Sequence, residues 1–281
     1  MTTALGEPRL EDTGFEPLAR SDMSAEHARR LAACLDVDPA VLDDGKLPPL
    51  WHWAFFLPRD RTAALGPDGH GARRPEMAAF SRRMFGAGRV RMRAPLLVGE
   101  PAERASAVRA TALKEGSTGT FWVVTVAHEI TQRGELCIEE EKDFLLRAPA
   151  AVPAPGPDHG GTPDAVWAEA FTPSRALLFR FSAVTFNTHR IHYDLPYATT
   201  VEEYPDLVVH GPLTAILLAE LARRHDAHPL RSLAFRAQAP LFVDHRLWLT
   251  GGPTATGVAM AAIRGDHAVA MTLDAELGAA Q

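Results

Sequence analysis

Cysteine is scarce in this chain: among 281 residues only Cys34 and Cys137 occur, about a hundred positions apart. Two so widely spaced thiols make no disulfide framework and no C-x-x-C metal spacing, and they are expected to be small buried hydrophobes. Lysine is nearly as rare. Lys46, Lys114 and Lys142 are the only lysines among 29 basic residues, and with 35 acidic residues the net charge is −6. Such a chain lacks the basic surface that general nucleic-acid binding needs. Long apolar runs are missing as well, and none nears the roughly 18 to 20 residues that cross a bilayer, so no membrane association is expected. From Met1 to Pro17 the acids Glu7, Glu11, Asp12 and Glu16 are mixed with prolines. That stretch is neither a secretory signal nor a transit peptide, and a cytoplasmic protein is expected. No Gly-rich fingerprint leads from a strand into a helix and no His/Cys/carboxylate cluster has ligand spacing, so neither a nucleotide cofactor nor a metal is expected.

What is present describes a globular protein, 46% hydrophobic and 23% charged, long enough for two domains of ordinary size. APAAVPAPGPDHGGTPD, residues 148–164, carries five prolines and sits just past the midpoint. Proline at that density holds neither a helix nor a central strand, so this is a linker between residues 1–147 and 165–281. Each side contains one phrase, RMRAPLLVGE from Arg91 and RAQAPLFVDH from Arg236, with five of ten positions identical at an offset of 145. An offset of half the chain points to two copies of one fold.

After each phrase come three β-rich segments split by turns such as EGSTG and RG. Before the second phrase, GPLTAILLAELARRH (Gly211 to His225) is apolar on more than one face at helical spacing, as a buried helix would be. A largely apolar helix wrapped by about five antiparallel strands is the hotdog arrangement. The expected fold is therefore α+β, a double hotdog with two antiparallel sheets, each round a central helix. The first copy is degenerate: its helix candidate, Pro75 to Phe85, is short. A helix capped by Ser24 is expected near the N-terminus, and Leu177 to Val184 is read as a strand.

That strand leads into a loop dense in Asn187, His189, His192, Tyr193 and Asp194. A compact loop can aim Asn187 and His192 at one volume, and Gly211 adds a backbone N–H at a helix N-terminus, where partial positive charge collects. The set suits addition of water to a thioester-conjugated double bond, or its removal. An N–H stabilises the enolate-like oxygen, a histidine moves the proton, and an asparagine holds water with one donor and one acceptor. Against this stands a purely structural role for His192 as a loop anchor. Trp51, His52 and Trp53 read as core aromatics or as walls of an acyl pocket, Arg82 and Arg83 as surface charge or grips on phosphates, GPDGHG as a turn, and EEEKD at 139–143 as a solvated strand end.

The phrases LPPLWHW, DGHG, SRRMFGAGRVRMRAPLLVGE, FSAVTFNTHRIHYDLPYA and LVVHGPL resemble the MaoC-like, FAS1-type dehydratase family from about Ala32 to Leu249. The resemblance implies a double-hotdog hydratase or dehydratase of enoyl-CoA or 3-hydroxyacyl-CoA thioesters, with a short branched or dicarboxylic acyl group such as mesaconyl or itaconyl. It implies no cofactor beyond the substrate's own CoA, and a homodimer. Similar (R)-specific enoyl-CoA hydratases carry D-x-N-P-x-H in this loop. Its catalytic histidine falls on His192, its catalytic aspartate on Asn187 and its asparagine on His189. An amide accepts no proton, so His192 becomes the main proton carrier and Asn187 and Gly211 its catalytic partners. Asp194, His189, Trp51, His52, Arg82 and Arg83 are the expected substrate contacts. A hotdog thioesterase and a non-catalytic acyl-CoA-binding subunit are the alternatives, since fold does not fix function.

Overall fold

Ser24 and Ser174 each close the first turn of a helix, accepting from the backbone N–H of His27 and Leu177, as short hydroxyl side chains do at an N-cap. The helices are α1 (Ala25–Cys34) and α2 (Arg175–Thr185). The second corrects the strand expected at 177–184: Leu178, Phe181, Ser182 and Val184 are the buried positions, a pattern on one helical face that the apolar run concealed. The computed structural model describes residues 6–71, 74–116 and 119–279. The tip of the expected EGSTG turn, 117–118, lies outside the described residues.

The strands are β1 (Leu18–Ser21), β2 (Arg82–Met92), β3 (Ala102–Gly116), β4 (Gly119–Gln132) and β5 (Glu135–Arg147), then β6 (Trp167–Phe171), β7 (Leu230–Ala237), β8 (Leu247–Pro253), β9 (Gly257–Arg264) and β10 (Val269–Leu277). They form one antiparallel sheet in the order β1-β3-β4-β5-β2-β7-β10-β9-β8-β6. Each half repeats the same internal order, and the expected two sheets are fused by β2 pairing with β7, Arg89 opposite Ala234. Backbone hydrogen bonds repeat around the two phrases. Leu47 N–H donates to Leu96 O and Val209 N–H to Leu241 O, both at 2.8 Å. Arg93 N–H donates to Cys137 O at 2.7 Å and Gln238 N–H to Ala270 O at 2.8 Å. Pro95 and Pro240 thus occupy equivalent turns.

Between Val209 and Leu241 runs α4 (Gly211–His225), with every residue from Leu213 to Ala222 buried against the second-half strands. This is the expected central helix. In the first half the described chain after Leu47 makes only short 3-10 turns, Trp51–Ala54 and then Thr62–Ala64, before Pro75. Pro58, Gly66, Pro67 and Gly69 lie along it, and no helix propagates through them. The expected counterpart at Pro75–Phe85 is instead a 3-10 turn, Pro75–Phe80, running into β2. The first half therefore keeps its sheet without a long helix, and a cavity lies against β5 there, lined by Glu140, Lys142 and Phe144. Cys34 and Cys137 are free and buried. No helix among the described residues is long and apolar enough to cross a membrane.

Candidate active site

Helix α2 ends at Phe186, whose φ of 50° lies in the left-handed region and turns the chain into the expected loop. Asn187 Oδ1 accepts from His189 N–H at 3.0 Å, a local turn that fixes the next residues. A 3-10 turn, Arg190–His192, follows, and then α3 (Leu195–Thr200), capped by Asp194.

His192 is buried, and its Nδ1 lies 2.7 Å from Val208 O. A carbonyl only accepts, so Nδ1 carries the hydrogen and Nε2 the lone pair. Burial, helped by His189 and opposed by the Val208 bond, pulls this imidazole down to about 3, so it is neutral at pH 7. Its ring stacks on His210 at 3.6 Å between centroids, and His210 Nε2 meets Ser182 Oγ at 2.9 Å. His210 is the N-cap of α4, so Gly211 is the first helical residue and its N–H has no intrahelical acceptor. Gly211 is also required sterically: a Cβ there would meet Phe85 Cδ1 at 2.6 Å.

His189, His192 and Gly211 line one cavity of about 250 Å³, beside Val208, Thr214 and Pro240. Asn187 lines a second cavity, also about 250 Å³, with His52, Trp53 and His70. Arg83 and Phe85 line both. The structure thus sets the expected partners Asn187 and His192 on either side of the start of β2, one cavity each.

Three expected substrate contacts are engaged elsewhere. Arg82, 2% exposed, donates from Nε to Glu202 Oε2 at 2.9 Å and from Nη1 to Ala150 O at 2.7 Å. It ties the linker to the site loop and is buried away from any phosphate. Trp51 is fully buried and donates to Glu220 Oε1 at 2.9 Å, under α4 and not in a cavity wall. Asp194 pairs with Arg190 at 2.7 Å and caps α3 through Tyr197 N–H, so its carboxylate does not orient His192. His52 and Arg83 do face a cavity.

Sequence reasoning missed Glu202, His210 and the Asp68–His70 pair. Glu202 lies 3.9 Å from His189 Nε2; burial opposes its ionisation, yet His189 and Arg82 beside it hold the carboxyl below its ordinary value. The DGHG turn packs on the site loop: Arg190 N–H donates to Asp68 O at 2.9 Å and Thr188 Oγ1 donates to Gly69 O. Gly69 has φ +88°, and a Cβ there would lie 1.9 Å from Thr188 O. His70 Nδ1 stands 3.3 Å from Asp68 Oδ2, and its ring 4.3 Å from that of His189. Burial, then Arg83 and His189, push His70 well below its ordinary value, against Asp68. Asp68, His70 and His189 bring ligand atoms within 4.8 Å of one another, a grouping that chain spacing does not reveal. Its acid already serves His70, and the Arg83 charge opposes a cation there.

Residues 50–243 match the hydroxyacyl-thioester dehydratase type 2 family. The chain belongs to that family. It is accordingly a hydro-lyase of the enoyl-thioester hydratase and 3-hydroxyacyl-thioester dehydratase type. It is 45% identical over 262 residues to mesaconyl-C(4)-CoA hydratase of Chloroflexus aurantiacus, covering 89% of this chain and 92% of that protein. Mitochondrial hydroxyacyl-thioester dehydratase type 2 of Schizosaccharomyces pombe is 26% identical over 247 residues, 76% of this chain and 80% of the relative. The MaoC-like dehydratase structure from Phytophthora capsici superposes with a TM-score of 0.69 at 13% identity, covering 98% of this chain and 96% of that one, and it supports the double-hotdog fold.

Proposed function

We propose that this chain hydrates an enoyl-CoA, or dehydrates the matching 3-hydroxyacyl-CoA, whose acyl group is short and branched or dicarboxylic, as in mesaconyl-C4-CoA. The observation that carries the mechanism is the neutral His192, anchored through Nδ1 to Val208 O, in one cavity with Gly211 at the α4 N-terminus. With the thioester oxygen on Gly211 N–H, charge developing there meets a fixed donor and the helix dipole. In dehydration His192 Nε2 takes the α-proton and returns it to the departing β-hydroxyl, a syn course that one base serves. Hydration is the reverse: water oxygen bonds to Cβ and the proton goes to Cα. Asn187, in the adjoining cavity across Arg83 and Phe85, positions the water or hydroxyl of a substrate that spans both cavities, and His189 lines the His192 cavity 3.9 Å from Glu202.

The same reading takes residues 1–147 and 165–281 as the two hotdog units with 148–164 between them. Arg83 and His52 contact substrate, no cofactor joins the reaction, and the working form is a cytoplasmic homodimer. Mixing the protein with mesaconyl-C4-CoA, itaconyl-CoA and crotonyl-CoA tests the activity. Loss of enoyl absorbance is expected; release of free thiol would mark a thioesterase, and neither change would mark a binding subunit.

A further inference from the structure

The wall of the Asn187 cavity farthest along β5 is charged. Alternation along β5 buries Ile138, Glu140, Lys142, Phe144 and Leu146 on one face, so the expected solvated EEEKD end instead sends an acid and a lysine inward. Glu140 is fully engaged: Trp53 Nε1 donates to Oε1, while His52 Nε2 and Lys142 Nζ stand 3.4 Å and 3.1 Å from Oε2. Lys142 is 7% exposed, and its ammonium has three donors to place. Arg104 lies over the rings of Phe15 and Phe56 at 4.9 Å and 5.3 Å, and its Nε is buried without a hydrogen-bond partner. Lys142, Arg104 and Glu140 all line the same cavity. Glu16 lines the cavity too, and it and Glu140 act on Arg104 through charge without a hydrogen bond to its Nε, while the nearby His52 and His128 are held neutral by burial.

We propose that Lys142 and Arg104 form a subsite for the carboxylate at the far end of an acyl group, so that the cavity selects carboxylate-ended enoyl thioesters over apolar ones. The proposal rests on the hydratase reading above and names its substrate class. A buried donor without an acceptor is costly, and Arg104 Nε is one although Glu140 and Glu16 both face the guanidinium. A substrate carboxylate supplies two acceptor oxygens, enough for Arg104 Nε and a remaining Lys142 N–H in charge-assisted bonds. Phe55, Phe56 and Phe181 line the rest of the cavity and suit the carbon chain. Burial, opposed by Glu140 and reinforced by Arg104, pulls the Lys142 ammonium below its ordinary range, strain that an incoming anion relieves.

The test compares kcat/KM within two substrate pairs in which a methyl replaces the carboxylate: mesaconyl-C4-CoA against 3-methylcrotonyl-CoA, and 2,3-dehydroadipyl-CoA against hex-2-enoyl-CoA. The parent protein is expected to favour the carboxylate member at least tenfold in one pair or both, mainly through KM. Arg104→Leu leaves no hydrogen-bond partner stranded, and Glu140→Gln with Lys142→Met removes a charge pair together. Either folded variant should reduce the preference tenfold or more. A preference that survives in both folded variants, or a parent protein that favours the methyl member of both pairs, overturns the subsite while leaving the hydratase reading standing. Failure of the parent protein to hydrate any of the four esters removes the hydratase reading, and the subsite with it.

Discussion

His192 and His210 stack face to face, 3.6 Å between centroids and 20° from parallel, although they lie on different elements. Each is bound on one nitrogen, His192 by Val208 O and His210 by Ser182 Oγ, so the pair fixes the plane of the proposed base against the N-cap of α4. Two stacked imidazoles cannot both carry charge cheaply. Burial first, then His192 and His189, push His210 well below its ordinary value, and the stack stays neutral at the pH where a base must accept a proton.

Replacing His192 with Ala should lower kcat on the order of a hundredfold or more, as loss of a general acid–base group does. Asn187→Ala should cost less in that step. Asn187→Asp restores the carboxylate of the D-x-N-P-x-H loops and is expected to retain or raise activity. Parent-rate turnover of crotonyl-CoA by folded His192→Ala would move the proton carrier elsewhere, to His189 in the same cavity or to His52 or His70 in the adjoining one.

Stability should fall on mild acidification, before carboxylates titrate. His192 and His128 are both pulled from 6.5 to about 3 by burial, with His189 adding at the first and Lys142 at the second. Burial also lowers His189 and His210. Below about pH 6.5 the unfolded chain binds protons that these folded rings refuse, so stability rises with pH through this window and is lost as pH falls toward 3. Each ring steepens the slope by up to about 1.4 kcal/mol per pH unit. Thermal melts at pH 7.5, 6.0 and 5.0 should show a progressive drop in Tm; a flat Tm would mean the rings are protonated when folded.

The repeat was legible because APLLV and APLFV sit in equivalent turns bound by equivalent backbone bonds, so a local constraint left the same residues twice. Helix α4 was legible because it is buried all round. Helix α2 was not, since LLFRFSAV is too apolar for its period to show. The loop histidines could be read from their spacing, but Asp68 and His70 join them across about 120 positions of sequence. Arg82 was misjudged for a related reason: its partner, Glu202, is 120 residues away. Strict alternation along EEEKD did hold the signal for Glu140 and Lys142, overlooked because a charge run ordinarily marks a solvated face.

Arg82 and Arg83, adjacent in sequence, should behave oppositely. Arg82→Met strands the buried Glu202 carboxylate, and breaking a buried pair costs about 3 to 5 kcal/mol, so the main effect is a lowered Tm. Arg83 lines both cavities, so Arg83→Gln should raise the KM for the CoA ester severalfold, with a smaller loss of Tm than Arg82→Met. Equal losses of stability in the two variants would place Arg83 in the structural frame.

Gly211→Ala tests the oxyanion contact through space. The added methyl would sit 2.6 Å from Phe85 Cδ1 and 3.1 Å from its Cβ, so either the Phe85 ring or the first turn of α4 must move. Overpacking of this kind costs about 1 to 3 kcal/mol, and Phe85 is the residue that both cavities share. Turnover should fall at least tenfold in kcat, because the N–H that meets developing charge moves with the turn. Phe85→Leu in the same chain gives the methyl room and should recover much of the Tm. If kcat recovers with it, the loss in Gly211→Ala was displacement of the N–H; if Tm recovers and kcat does not, Phe85 itself shapes the acyl path. A Gly211→Ala protein with parent kcat and a lowered Tm would remove Gly211 from the chemistry and leave it a packing residue.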